Sequence, residues 1–306
     1  GQVQPLHIVL TAFLTGAGFT LYAPARLAML PNLVPSLVLR SASTLEYSST
    51  RLVGFVGPVA AGFLIDRAGA PVALLTGAGL ILLAAAIFTR VSEVSVTSGS
   101  RMRGMARPSL VLLLREAVAY LRTDRPLWSL LLLGLIMVPI GMAHQKLLPV
   151  FNRDVLAAGA STLGLMVGLF SLGAAAAGII LAGLGTLRQG RLLLAASFGI
   201  AVGVIGFAFT RNAVLALALA VLLGLVDGVY LTLSNVVFQT CAPDAMRGRV
   251  LGVWAMVWGI LPFTALLAGF LAEQIGVVAV IAGSGALCLL FAIGFAYASP
   301  QLRELA

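Results

Sequence analysis

Acidic residues are scarce in this 306-residue chain, which has 10 Asp and Glu against 19 Lys and Arg. Charged residues of both signs make up 9%, where soluble domains carry roughly 25%. So little charge excludes a water-facing surface. With 60% of positions hydrophobic, the chain has more apolar surface than a soluble fold of this size can hide, so its solvent is lipid. Two His and two Cys are too few for a protein-held metal site. Cys241 falls near a predicted loop and Cys288 within the last predicted span, which gives no disulfide framework. The chain has no His-Glu-x-x-His, no Gly-x-Ser-x-Gly and no P-loop, so neither an enzyme class nor a cofactor is indicated.

What is present is a series of long apolar runs. Nine reach the roughly 20 residues a helix needs to cross a bilayer, near 6–27, 38–66, 70–90, 127–148, 160–185, 189–209, 213–240, 247–274 and 276–298. Unbroken runs such as LWSLLLLGLIMVPIGM lack the alternation of a β-barrel, so the fold class is all-α and polytopic. The net charge of +9 does not indicate nucleic-acid binding, because its distribution is that of a membrane topology signal. Fourteen of the 19 basic residues fall in alternate loops: Arg26, Arg40, seven from Arg90 to Arg125, Arg188, Arg191, Arg247, Arg249 and Arg303. The positive-inside rule makes that side cytoplasmic, with the C-terminus inside. The first residue is Gly, and no charged n-region or cleavage site precedes the first span, so the N-terminus reads as cut.

A polar, Ser-rich segment (VSEVSVTSGSRMRG) and an amphipathic one (RPSLVLLLREAVAYLRTDRP) separate three spans from six. The second reads as a helix on the cytoplasmic surface, with Arg115 and Glu116 as a solvated pair. The organisation is therefore a partial bundle at 1–90, a linker at 91–126 and a six-helix bundle at 127–306. The two bundles share an internal repeat. AGFLIDRAG at 61–69 returns as AGFLAEQIG at 268–276, with five of nine positions identical. Gly57-Pro58 precedes one copy and Leu261-Pro262 the other; Pro35 and Arg40 match Pro243, Arg247 and Arg249. Applied to the span near Trp128, the same offset lands about 80 residues before Gly1. The parent then has six plus six helices in parallel repeats, and this chain lacks the first three.

These residues resemble the major facilitator superfamily, and more narrowly its branch of enterobactin exporters and macrolide efflux proteins. YAPARLAMLPNLVPSLVLRSAS is similar to that branch's Pro-Ala…Leu-Pro…Leu-Val-Pro pattern between helices four and five. VGPVAAGFLI resembles the helix-five Gly-Pro motif associated with antiporters, and QTCAPDAMRGRVLGV the loop between helices ten and eleven. LLREAVAYLRTDRPL and KLLPVFNRDVLAAGASTLGLMVG look like the segments entering helix seven and leading into helix eight. The family's Asp-Arg-Gly-Arg-type loop survives only as Gly185-Thr186-Leu187-Arg188-Gln189-Gly190-Arg191, without its acid. The resemblance implies a major facilitator fold of about nine helices, three from the N-terminal bundle and six from the C-terminal one.

Polar residues inside spans are the functional candidates, because intramembrane charges are costly and usually face a cavity or a partner. Asp227 is the most deeply placed acid, and a carboxyl group in low dielectric can exchange a proton near neutral pH. The family arrangement would put this helix-ten residue on the substrate path; the plain alternative is a helix–helix hydrogen bond. Glu46 and Arg51 share a span but stand about 140° apart, so they form no same-face pair. Glu46 could carry a proton or meet a cation, Arg51 could bind an anion or brace the motif, or both could lie at the interface. Asn235 is an additional polar candidate. His144, Gln145 and Lys146 read as an interfacial anchor. Gly54, Gly57 and Pro58 form a bend that either supports exchange between two states or only packs helices. Arg247, Gly248 and Arg249 either latch an inner gate through carboxylates or helix C-termini, or set topology.

The function these features indicate is proton-coupled efflux of a small organic molecule, a drug, macrolide or siderophore, by alternating access in a bacterial inner membrane. Protons and membrane lipids are the remaining partners, and antiport supplies the drive. A lipid or lysophospholipid flippase would need an apolar, laterally open cavity, and a non-transporting scaffold a plugged one. A membrane enzyme would need acid, base or nucleophile residues clustered in one pocket.

Overall fold

The computed structural model describes residues 10, 11, 14, 18, 39–89, 110–183 and 189–299, with the side chains of 39–48, Leu110 and Ala245 left aside. The expected first span at 6–27 and most of the linker lie outside the described residues. What is described is helical: α1 (Leu39–Ala68), α2 (Ala70–Phe88), α3 (Leu110–Thr123), α4 (Arg125–Ile136), α5 (Ala143–Asp154), α6 (Ala160–Gly183), α7 (Gln189–Phe209), α8 (Ala213–Cys241), α9 (Asp244–Trp258), α10 (Leu261–Ile275) and α11 (Val277–Ala298). Among the described residues, eight helical stretches are long and apolar enough to cross a membrane. The fold class read from the sequence, all-α and polytopic, holds.

The chain divides into two units, residues 1–50 with 76–106 and residues 51–75 with 107–306. The first contains the start of α1 and most of α2, a helix without a buried residue. An apolar helix of that kind suits lipid. The second has a packed interior built on Leu127, Leu130 and Leu133 of α4, Phe151 of α5, Phe207 of α7 and Phe238 of α8. Phe151 and Phe207 meet ring to ring at 4.8 Å, a favourable offset for aromatic pairs.

Two predicted spans are broken helices. The span from Arg125 reaches Asp154, beyond the expected end at 148, and is interrupted by a π-turn at Met137–Gly141. Pro139 sits in that turn and has no N–H to give, so the ladder reorganises around it. The Gly141 carbonyl accepts instead from His144 Nδ1, at 2.6 Å. The span expected at 247–274 splits into α9 and α10 at Gly259–Ile260, with Pro262 in the first turn of α10. Its repeat counterpart behaves differently: α1 stays helical through Pro58, leaving the Gly54 carbonyl without its i+4 donor.

The repeat itself is visible in the backbone. Gly69 ends one copy at φ 85° and Gly276 the other at φ 88°, a region that L side chains rarely adopt. In both copies this glycine turns the chain directly into the next helix. Just before it, Asp66 reaches across to cap α6. Its two carboxylate oxygens accept from the backbone N–H groups of Ala160 and Ser161, each at 2.8 Å. The acid that the sequence placed at the end of one helix therefore also starts another.

α6 lies against α1 and α8 at backbone distance. A Cβ on Gly164 would strike the Pro58 carbonyl, and one on Gly224 the Phe170 carbonyl. Lipid offers no hydrophobic drive for helix association, so such van der Waals contact between backbones supplies it. Gly224→Leu should lower stability by about 2 to 3 kcal/mol. Gly206→Leu, on a glycine facing open space, should change it little. Thermal unfolding of the detergent-solubilised protein checks the pair.

Candidate functional site

The broken helix after Arg125 leads to the site. Its second half, α5, places Gln145 and Lys146 on a cavity of about 320 Å³. The same cavity is lined by Arg51 of α1, by Leu148 of α5, and by Val167, Phe170, Ser171 and Ala174 of α6. Three helices therefore converge on one polar hollow. Ser171 spends its hydroxyl proton on the Val167 carbonyl at 3.2 Å, so toward the cavity it can only accept. Gly54, one turn on from Arg51, lies where a Cβ would touch Ser171.

Asp227 stands behind this wall. It is 3% exposed and takes a hydrogen bond from Gln145 Nε2 at 3.4 Å. Gln145 thus touches the cavity with one side and the buried acid with the other. The contact is a helix–helix hydrogen bond between α5 and α8, and Asp227 itself is not among the residues that line the cavity.

His144 corrects the interfacial reading of its segment. The ring is 2% exposed, with the rings of Phe170 and Phe207 each 6.3 Å away. It braces the broken helix. Lys146 is exposed and faces the cavity. A π-turn separates α4 from α5, so no uniform 3.6-residue period predicts where the side chains of α5 point.

Asn235 is not at the cavity. Its Nδ2 donates to the Leu231 carbonyl at 2.8 Å, and its Oδ1 accepts from Trp254 Nε1 at 3.1 Å. It ties α8 to α9, where Trp254 also meets Phe238 at 5.1 Å. Glu46 lies on α1, but its side chain is outside the described residues. Gly57 and Gly248 face open space.

At the other end, the two arginines of the Arg247-Gly248-Arg249 motif part company. Arg247 pairs with Asp244 on its own helix at 2.6 Å. Arg249 pairs with Glu116 of α3. Glu116 is therefore no partner of Arg115, as the sequence suggested, but fastens the amphipathic helix to α9. α3 also buries Ala117 and Leu121 completely. The pair is partly exposed, so its coupling should be at most about 1 kcal/mol. A double-mutant cycle of Glu116→Gln and Arg249→Gln in thermal unfolding should return that value, falling with added salt.

Membrane-length helices, two of them discontinuous, around a polar cavity backed by a buried acid make up the architecture of a multi-pass membrane transporter. The Major Facilitator Superfamily model matches residues 3–265 and again 147–304, and the chain belongs to that superfamily. The two matches overlap, as two related halves would produce. The chain is 23% identical over 301 residues to the Staphyloferrin A transporter of Staphylococcus aureus (strain NCTC 8325 / PS 47), covering 97% of this chain and 73% of that protein. To Macrolide efflux protein A of Streptococcus pyogenes it is 24% identical over 313 residues, with the same coverage. To the multidrug efflux pump Tap of Mycolicibacterium fortuitum it is 26% identical over 318 residues, covering 99% and 75%. These relatives agree with the efflux branch that the sequence motifs resemble.

Proposed function

We propose that the chain exports a small organic molecule across the plasma membrane by alternating access, coupled to protons through Asp227. The observation that carries this is the Asp227–Gln145 contact: a buried acid one hydrogen bond from a polar cavity. Efflux is supported by relatives named for macrolide and multidrug export, and a drug, macrolide or siderophore is the fitting cargo. Bundles at 1–90 and 127–306 rock about the cavity, with 91–126 joining them on the cytoplasmic side, where the C-terminus also lies. Gly54 and Pro58 give the close contact along which the bundles pivot. Glu46 is a second candidate proton carrier. The cavity's lining is mixed, with Arg51, Gln145, Lys146 and Ser171 beside Leu148, Val167, Phe170 and Ala174, which suits a small amphipathic molecule.

The test is transport into vesicles under an imposed pH gradient. Wild-type protein should respond to the gradient, whereas Asp227→Asn combined with Glu46→Gln should lose the response and keep gradient-free exchange. Undiminished gradient-driven transport by the double variant would sink the coupling.

A further inference from the structure

We propose that Arg115 and Arg122 of α3, with Arg125 at the start of α4, form a docking surface for the headgroups of anionic phospholipids. The inference goes beyond the export reading and depends on neither its cargo nor its coupling ion. At 100° per residue, Arg115 and Arg122 stand within about 20° of each other on α3. Glu116 is the only acid of that helix, and it stands about 100° or more from both. It is paired with Arg249 of α9, while Ala117 and Leu121 are buried. The acid and the apolar residues of α3 are thus committed to the protein, and its two bases are left exposed. Arg125 is exposed as well, and none of the three arginines has a carboxylate partner among the described residues. Asp124, the neighbouring acid, turns to the backbone and accepts from the Leu127 N–H at 3.1 Å.

Their position is that of a headgroup layer. Arg125 opens the membrane-length stretch Arg125–Asp154, and Arg249 lies near the start of Met246–Ile275. α3 is tied to Arg249 and is separated from Arg125 by one residue, so it lies where two spans leave the hydrocarbon. Arg122 stands over the Trp128 ring, 5.4 Å from its centroid, and a tryptophan beside a cation at the end of a span marks a membrane interface. A guanidinium fork matches the oxygens of a phosphate. Val111 is 75% exposed, within about 40° of Arg115 on the helix. It offers an apolar contact that a lipid uses and a soluble anion does not. On the topology proposed above this is the cytoplasmic leaflet, whose anionic lipids attract basic segments next to the membrane.

The experiment titrates the full chain, purified in a neutral detergent, with phosphatidylglycerol or with phosphatidylcholine of the same acyl chains, and follows thermal unfolding. A lipid that binds the folded state raises the midpoint according to its affinity and concentration. Each arginine near an anionic surface strengthens binding by about fivefold, so phosphatidylglycerol should act at concentrations lower by about tenfold or more. Added salt should narrow that gap. Arg115→Gln combined with Arg122→Gln and Arg125→Gln should bring the two lipids level, whereas Lys at the same three positions should keep most of the preference. Comparing both lipids on each variant separates lost charge from a weakened fold. Arg211→Gln, in the exposed α7–α8 loop, should leave the preference intact. Equal responses to the two lipids in the wild type, a preference that survives the triple Gln variant, or one lost just as much in Arg211→Gln would each overturn the proposal. So would a shift of the same size from glycerol phosphate, which would make this a site for soluble phosphates.

Discussion

The contact on which the rest of the structure depends is the backbone approach of α6 to α1 on one side and α8 on the other. Gly164 against the Pro58 carbonyl and Gly224 against the Phe170 carbonyl leave no room for side chains. Three functional elements are held in place by that contact. Arg51 is on α1, Phe170 and Ser171 are on α6, and Asp227 is on α8 less than one turn beyond Gly224. Were these helices spaced by ordinary side chains, the cavity and its buried acid would be farther apart. In lipid, where apolar side chains gain little by burial against one another, backbone contact is the economical way to fix such distances.

The same contact involves the proline of the Gly-Pro pair inside α1, whereas Gly57 faces open space. Proline frees a carbonyl and cannot pack a long side chain; its own carbonyl is where Gly164 lies. Asp66 then fixes the register by capping α6 at its first residues, so the helix pair is joined by packing along its length and by hydrogen bonds at one end.

Spans and their order were legible because lipid enforces a nearly unambiguous pattern. So was the repeat, and the matching positive φ of Gly69 and Gly276 shows that the two copies end alike in backbone as well as in letters. The places that misled are those where one element answers to another far away in sequence. His144, Gln145 and Lys146 look like a polar fringe at the end of a straight helix, but beyond Pro139 and the π-turn His144 is buried and Gln145 and Lys146 line a cavity. Pro58 and Pro262 are equivalent by repeat, yet only the second interrupts its helix. Glu116 has an arginine beside it in sequence and takes another, 133 residues on. Asn235 is polar at membrane depth for the sake of Trp254, which no local pattern announces.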